Sequence, residues 1–309
     1  MRTRFLPLVL LATAGQAQTK PAPAVFEVDD VKTWVNVMKN AKPKTPTFTA
    51  LTPKPGYVRG FVKDSSGKPL QNARLGVRST SAGGFYSGAQ GKTDARGYYE
   101  IKVPWGAAHF YNAGFSIEYG DGRVACSLHP ADGQLDSFAS AKGAVENFVL
   151  LDYGITNPDK VQDQPHYSGN YYGGYCTFDW NVADENPTWA EPSYLPANCT
   201  IEITFTPQAP LRGGIAAKSF VIRKQVNTVF GRVSVLNLPI TTYRVSAKIV
   251  GGVALKMTET GPNGGGAFGI EPKKNASTVT LQLRPSSAQA ERAVAGVSNW
   301  DPVSIQLTR

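Results

Sequence analysis

The sequence predicts a mainly β chain, with two antiparallel β-sandwich domains preceded by a short N-terminal helix and a Pro-rich linker. The first observation behind this is texture. From Gly56 onward, short β-branched or aromatic runs alternate with Gly, Asp and Asn turns, the habit of antiparallel strands joined by tight connections. The second is a different period ahead of Gly56. Val31, Trp34, Val35 and Met38 recur at i, i+3, i+4 and i+7, one face of a helix. The third is length, since 309 residues at about 150 per domain suggest roughly two domains.

Taken in order, Arg2 and Arg4 precede the apolar run Phe5 to Leu11, and small residues follow up to Ala17. A basic start, a short apolar stretch and a small-residue cleavage site predict a signal peptide over residues 1–17 and an exported chain, in the periplasm or at the cell surface. Removing Arg2 and Arg4 lowers the formal charge from +9 to +7. The surplus is scattered, with no basic block among aromatics, so no nucleic-acid partner is expected. No run reaches about 18 apolar residues, so no transmembrane span is expected. Residues 18–55 read as the amphipathic helix and a Pro/Thr-rich linker. Asp29 and Asp30 suit a helix N-terminus, and residues 41–55 hold four prolines. A short helix cannot bury its own apolar face. Val31, Trp34, Val35 and Met38 are therefore expected to dock on the chain's own domains, on an envelope protein assembly, or on a second copy.

Residues 56–151 form the first expected sandwich, with strands at 57–62, 73–78, 98–103, 115–119 and 147–151. Residues 152–198, rich in Tyr, Gly and Pro, read as connecting loops. Residues 199–309 form the second sandwich, with strands at 200–206, 219–223, 229–235, 243–250 and 278–283. A final edge strand is expected at 303–308.

GYVRGFVKDSSGKPLQNARLGVRS, followed by TDARGYYEIKVPWG, resembles the carboxypeptidase regulatory-like domain family. The residues that carry the resemblance are Gly60, Val62, Asp64, Gly67, Pro69, Ala73 and Val77, then Thr93, Asp94, Gly97, Tyr98, Ile101, Val103, Pro104 and Gly106. It spans residues 56–151 and implies a prealbumin-like, seven-stranded sandwich. It implies no particular activity, since such domains are added to many exported proteins. The stretch LNLPITTYRVSAKIVGG is similar in cadence, so the second sandwich is also expected to be prealbumin-like or Ig-like.

The family name raises a zinc peptidase, which needs a His-x-x-Glu pair and a distant His. His109, His129 and His166 have no such context, and no catalytic residues are assigned. The same three His could converge as a copper or zinc site on a sandwich, giving a copper-dependent redox enzyme of superoxide-dismutase type as an alternative. They equally read as unrelated histidines, and no cofactor is otherwise expected. No G-x-S-x-G elbow and no phosphate-cradling loop occurs. Export permits one intramolecular disulfide among three cysteines, and Cys176–Cys199 is expected because both lie in one loop-rich segment. Tyr167, Tyr171, Tyr172, Tyr175, Phe178 and Trp180 crowd into fourteen residues, with Trp189 and Tyr194 close behind. Exposed, such rings would bind a partner or stack on a glycan. Folded back, they would be core.

The leading expectation is an exported, non-catalytic accessory or adaptor of the cell envelope. It would bind a surface-layer or outer-membrane assembly through its helix and aromatic loop. A carbohydrate-binding module is the further alternative.

Overall fold

The structure, a computed structural model, describes residues 22–309 apart from 40, 42, 82, 83, 85, 184–190, 228–230, 262–265, 287–292, 294 and 295. The expected signal peptide and Trp189 lie outside the described residues. No described helix is long and apolar enough to cross a membrane.

The N-terminal segment contributes β1 (Ala24–Val28) and β2 (Trp34–Asn36). The first sandwich comprises β3 (Tyr57–Asp64), β4 (Arg74–Thr80), β5 (Tyr86–Lys92), β6 (Tyr98–Lys102), β7 (Ala107–Tyr119), β8 (Gly122–Ser127), β9 (His129–Pro130), β10 (Phe138–Ala139), β11 (Ala144–Val145) and β12 (Phe148–Leu150). One of its sheets runs β10-β7-β4-β5, with β8 also on β7. The other runs β11-β3-β12-β9, with β6 also on β3. Strict alternation along β3 puts Val58 and Val62 inside, where Phe110 of the facing sheet meets Phe148 edge-on with ring centres 5.0 Å apart. The turn before β6 needs Gly97, whose φ is +73° and whose missing side chain leaves room for the Val62 carbonyl.

After a short helix, α1 (Pro158–Asp163), the second sandwich is built from β13 (Gly174–Asp179), β14 (Thr200–Pro207), β15 (Phe220–Gln225), β16 (Arg232–Leu238), β17 (Tyr243–Ile249), β18 (Lys256–Thr260), β19 (Gly269–Glu271), β20 (Thr278–Gln282), β21 (Arg284–Pro285), β22 (Trp300–Asp301) and β23 (Val303–Thr308). Its sheets, among the described residues, run β1-β15-β14-β17-β20-β19 and β18-β23-β13-β16-β2, and β21 pairs with β22 apart from both. Phe178, Phe205, Phe220 and Tyr243 form its aromatic centre, Phe205 stacking on Phe220 at 4.7 Å. Glu259 is buried and accepts from three donors: the Ile270 amide, Lys273 Nζ at 2.9 Å and the Arg284 guanidinium.

Three expectations are corrected here. The expected helix does not form over 28–39. Asp29 Oδ1 accepts the Val31 and Lys32 amides and makes a turn, while β1 and β2 add as parallel edge strands to β15 and β16. Four valines and a threonine between positions 28 and 37 suit strands, and two open sheet edges supply the backbone partners. Residues 152–198 are not only loops, since β13 lies inside a sheet between β16 and β23. For the same reason β23 is an interior strand rather than an edge. Residues 43–54 form no helix or strand and do not hang free. Thr52 O accepts Arg59 Nε at 2.9 Å, Thr47 O accepts Lys63 Nζ at 2.7 Å, and Phe48 packs on a small cluster with Val149, Leu151 and Tyr172.

The two sandwiches share one continuous apolar core. Tyr119 of β7 stacks on Phe268, meets Trp300 edge-on at 5.2 Å, and donates to Leu283 O at 3.0 Å. Asn299 Oδ1 accepts the Ser127 amide, Trp300 Nε1 donates to Tyr172 O, and Arg212 pairs with buried Asp152.

Candidate functional site

The side chains expected to bind are mostly structural. Val35 is buried, Trp34 and Met38 are half-buried in the second sandwich, and Val31 alone of the four is exposed, at 65%. Lys32 Nζ covers the Trp34 ring at 4.2 Å. In the aromatic segment, Tyr171, Tyr172, Phe178 and Trp180 are buried, and Tyr175 and Tyr194 half-buried. Tyr171 donates to Pro165 O at 2.6 Å. Among the described rings of this segment, only Tyr167, at 55%, stands in solvent. Tyr172 reaches the junction, where its carbonyl accepts Trp300 Nε1, and Phe178 of β13 packs edge-on against Phe205 in the second sandwich.

The three histidines do not converge. His109 is on β7, His129 Nδ1 lies 3.1 Å from the Tyr172 hydroxyl, and His166 is exposed beyond α1. No group of three His, Cys, Asp or Glu able to hold a metal occurs among the described residues, which corrects the copper or zinc site. The expected Cys176–Cys199 disulfide is also corrected, since all three cysteines are free. Cys176 is central to one sheet, and Cys199 leads into β14 of the other. Burial pushes the Cys126 thiol up to about 11, and raises Cys176 and Cys199 as well.

What the structure leaves outside is a strip on the first sandwich. Along β4, Leu75 and Val77 face the core, so Arg74, Gly76, Arg78 and Thr80 face out. Their ladder partners on β5 are Lys92, Gln90, Gly88 and Tyr86. On β7 they are Gly114, Asn112, His109 and Ala107, with Tyr111 as the extra residue of a β-bulge. The strip is about 20 Å long from Arg74 to Thr80. At its centre Arg78 lies between two rings, 5.3 Å from Tyr111 and 5.8 Å from Tyr86. Tyr111 lies over Gly76, where any Cβ would strike its ring, and its hydroxyl accepts Gln90 Nε2 at 2.5 Å.

One end of the strip opens into an apolar hollow of about 450 Å³ lined by Thr80, Trp105, Ala107, Phe138 and Ala139. Trp105 is 72% exposed and Tyr86 68%. The other end is a hollow of about 230 Å³ lined by Arg74, Gln90, Lys92 and Asn112, and Arg74 and Lys92 also line its neighbour beside Arg123. Sequence reasoning passed over this strip. Tyr86, Trp105 and Tyr111 are spread over three elements, and only the ladder brings them together. The exposed Trp in the Pro104-Trp105-Gly106 turn was the available signal.

No protein-family model matches the chain, and no curated protein matches it. The resemblance of residues 56–151 to the carboxypeptidase regulatory-like family therefore has no family match beside it. Solved structures with partial likeness include the Bacillus anthracis TIE protein, with TM-score 0.30 and 13% identity over 81% of this chain and 34% of that one. A Streptococcal ancillary pilin gives TM-score 0.22 and 14% identity over 82% and 62%. A bacterial adhesin from Mobiluncus mulieris gives 0.25 and 10% over 77% and 84%. The chain spans about a third of the TIE protein's length. Overlap at these scores assigns neither a family nor a function.

Proposed function

We propose that this chain is an exported, non-catalytic binding protein of the cell envelope, and that it makes contact through the outer strip of β4, β5 and β7. The observation that carries the reading is Trp105. Among the described tryptophans it alone is exposed, since Trp34 is half-buried and Trp180 and Trp300 are buried. A large ring left in water over an apolar hollow at the Thr80 end of the strip is the usual anchor of a contact surface. Export rests on the basic, apolar, small-residue order of the first 17 residues. The N-terminal segment is reassigned from docking to the completion of the second sandwich.

The test is retention of purified protein on envelope fractions. Trp105→Ala and Tyr86→Ala, both at exposed positions, are expected to lower retention about tenfold each while thermal stability stays within about 0.5 kcal/mol. Undiminished retention by both variants would overturn the assignment of this face.

A further inference from the structure

We infer that the basic end of this strip is a subsite for an oxyanion, and that the ligand of the whole strip is an acidic polysaccharide. This rests on the reading of the strip as the contact face and adds the ligand's chemistry. The main observation is Asn112. It is only 5% exposed, it lines the hollow with Arg74, Gln90 and Lys92, and its Nδ2 is buried with no hydrogen-bond partner. A buried amide donor without an acceptor is costly, and native proteins keep few of them. A ligand oxygen entering the hollow supplies that acceptor. The Gln90 side chain, tied to Tyr111 across Gly76, is the exposed part that gives way.

The surroundings select an anion. Arg74 and Lys92 stand opposite each other across the β4–β5 ladder at this end, and Arg123 borders the adjoining hollow. Two cations beside an amide donor are the donor set that carboxylates and sulfates use.

The rest of the strip selects a sugar chain over an acidic protein. Protein contact faces have a continuous apolar centre. Here the outward positions of β5 are Tyr86, Gly88, Gln90 and Lys92, so no aliphatic side chain joins the rings into such a centre. Tyr86 and Trp105 instead stand exposed as separate rings, while Tyr111 is packed against Arg78 and Gly76 among the polar groups of the strip. Ring faces stack on the apolar faces of sugars, and Gln90 and His109 are placed to meet hydroxyls.

Isothermal calorimetry with polygalacturonate, neutral dextran and polyglutamate tests this. The full chain is expected to bind polygalacturonate at least tenfold more tightly than dextran, and more weakly as salt is raised. Asn112→Asp, which swaps the donor for a charge, is expected to lose about tenfold or more on polygalacturonate. Lys92→Met lies at an exposed position and serves should the buried Asn112 variant not fold; a loss of about threefold or more is expected. If Lys92→Met and a folded Asn112→Asp bind like the parent, the subsite is wrong. Equal binding of dextran and polygalacturonate, both lost in Trp105→Ala, would remove the anion subsite and leave the contact face standing. Polyglutamate bound as tightly as polygalacturonate would overturn the sugar assignment. No binding to any of the three probes, with Trp105-dependent envelope retention intact, would overturn the acidic-polysaccharide inference alone.

Discussion

Glu146 shows how a single group can set the pH response of the fold. Its carboxyl is pushed up to about 8, first by burial and then by Asp132 and Asp136 nearby. The native state therefore holds a proton that the unfolded chain releases near 4.5. Between those two values the native state binds more protons, so this group's contribution to stability falls as pH rises. Glu146→Gln is expected to shrink the drop in thermal midpoint between about pH 5 and pH 8.5. An unchanged drop would show that Glu146 is not the group responsible. At this scale the sequence was least legible. Tyr171, Tyr172 and Trp180 look the same in sequence whether a ring faces core or solvent, and tertiary packing decided for core.

At the scale of elements, the N-terminal segment is the informative case. Lys224 is fully buried on β15, and its Nζ donates to Asp29 O at 2.5 Å and Asp30 O at 2.8 Å. Those bonds fix the turn between β1 and β2, so one segment can close an edge of each sheet. Lys224→Met leaves both carbonyls without that donor, at a cost of about 2 kcal/mol. Hydrogen exchange is expected to quicken in 24–36 and to stay slow in β14 and β17. Unchanged protection of 24–36 would mean the edge pairing holds the segment unaided. The helical spacing of Val31, Trp34, Val35 and Met38 was real but incidental, because four residues fit either period. β5 escaped notice for a related reason. Its inward positions are Ser87, Ala89 and Gly91, the last kept small by Ile101, so it lacks the alternation that marks a strand.

The whole molecule is expected to unfold as one unit. The apolar core runs through both sandwiches, and Tyr119 joins them by two ring contacts and a hydrogen bond. Tyr119 is half-buried, and Tyr119→Ala is expected to cost about 2 kcal/mol through the loss of its packing and hydrogen bond. Calorimetry is expected to show one transition in both proteins, lower in the variant. Two resolved transitions in the parent would mean that the junction does not couple the sandwiches.

By itself the sequence determined the β class and the main strands on either side of the junction, because those signals are local: alternation along a strand, and a Gly or Asp where the backbone must turn. Only the tertiary structure decided which edges the N-terminal segment would close, that β13 and β23 would lie inside a sheet, and that three histidines would stay apart. The contact strip belongs to the same group. Tyr86, Trp105, Tyr111 and Asn112 come onto one strip through the pairing of β4 with β5 and β7. Such pairing depends on distant backbone partners and on burial, which no local pattern encodes.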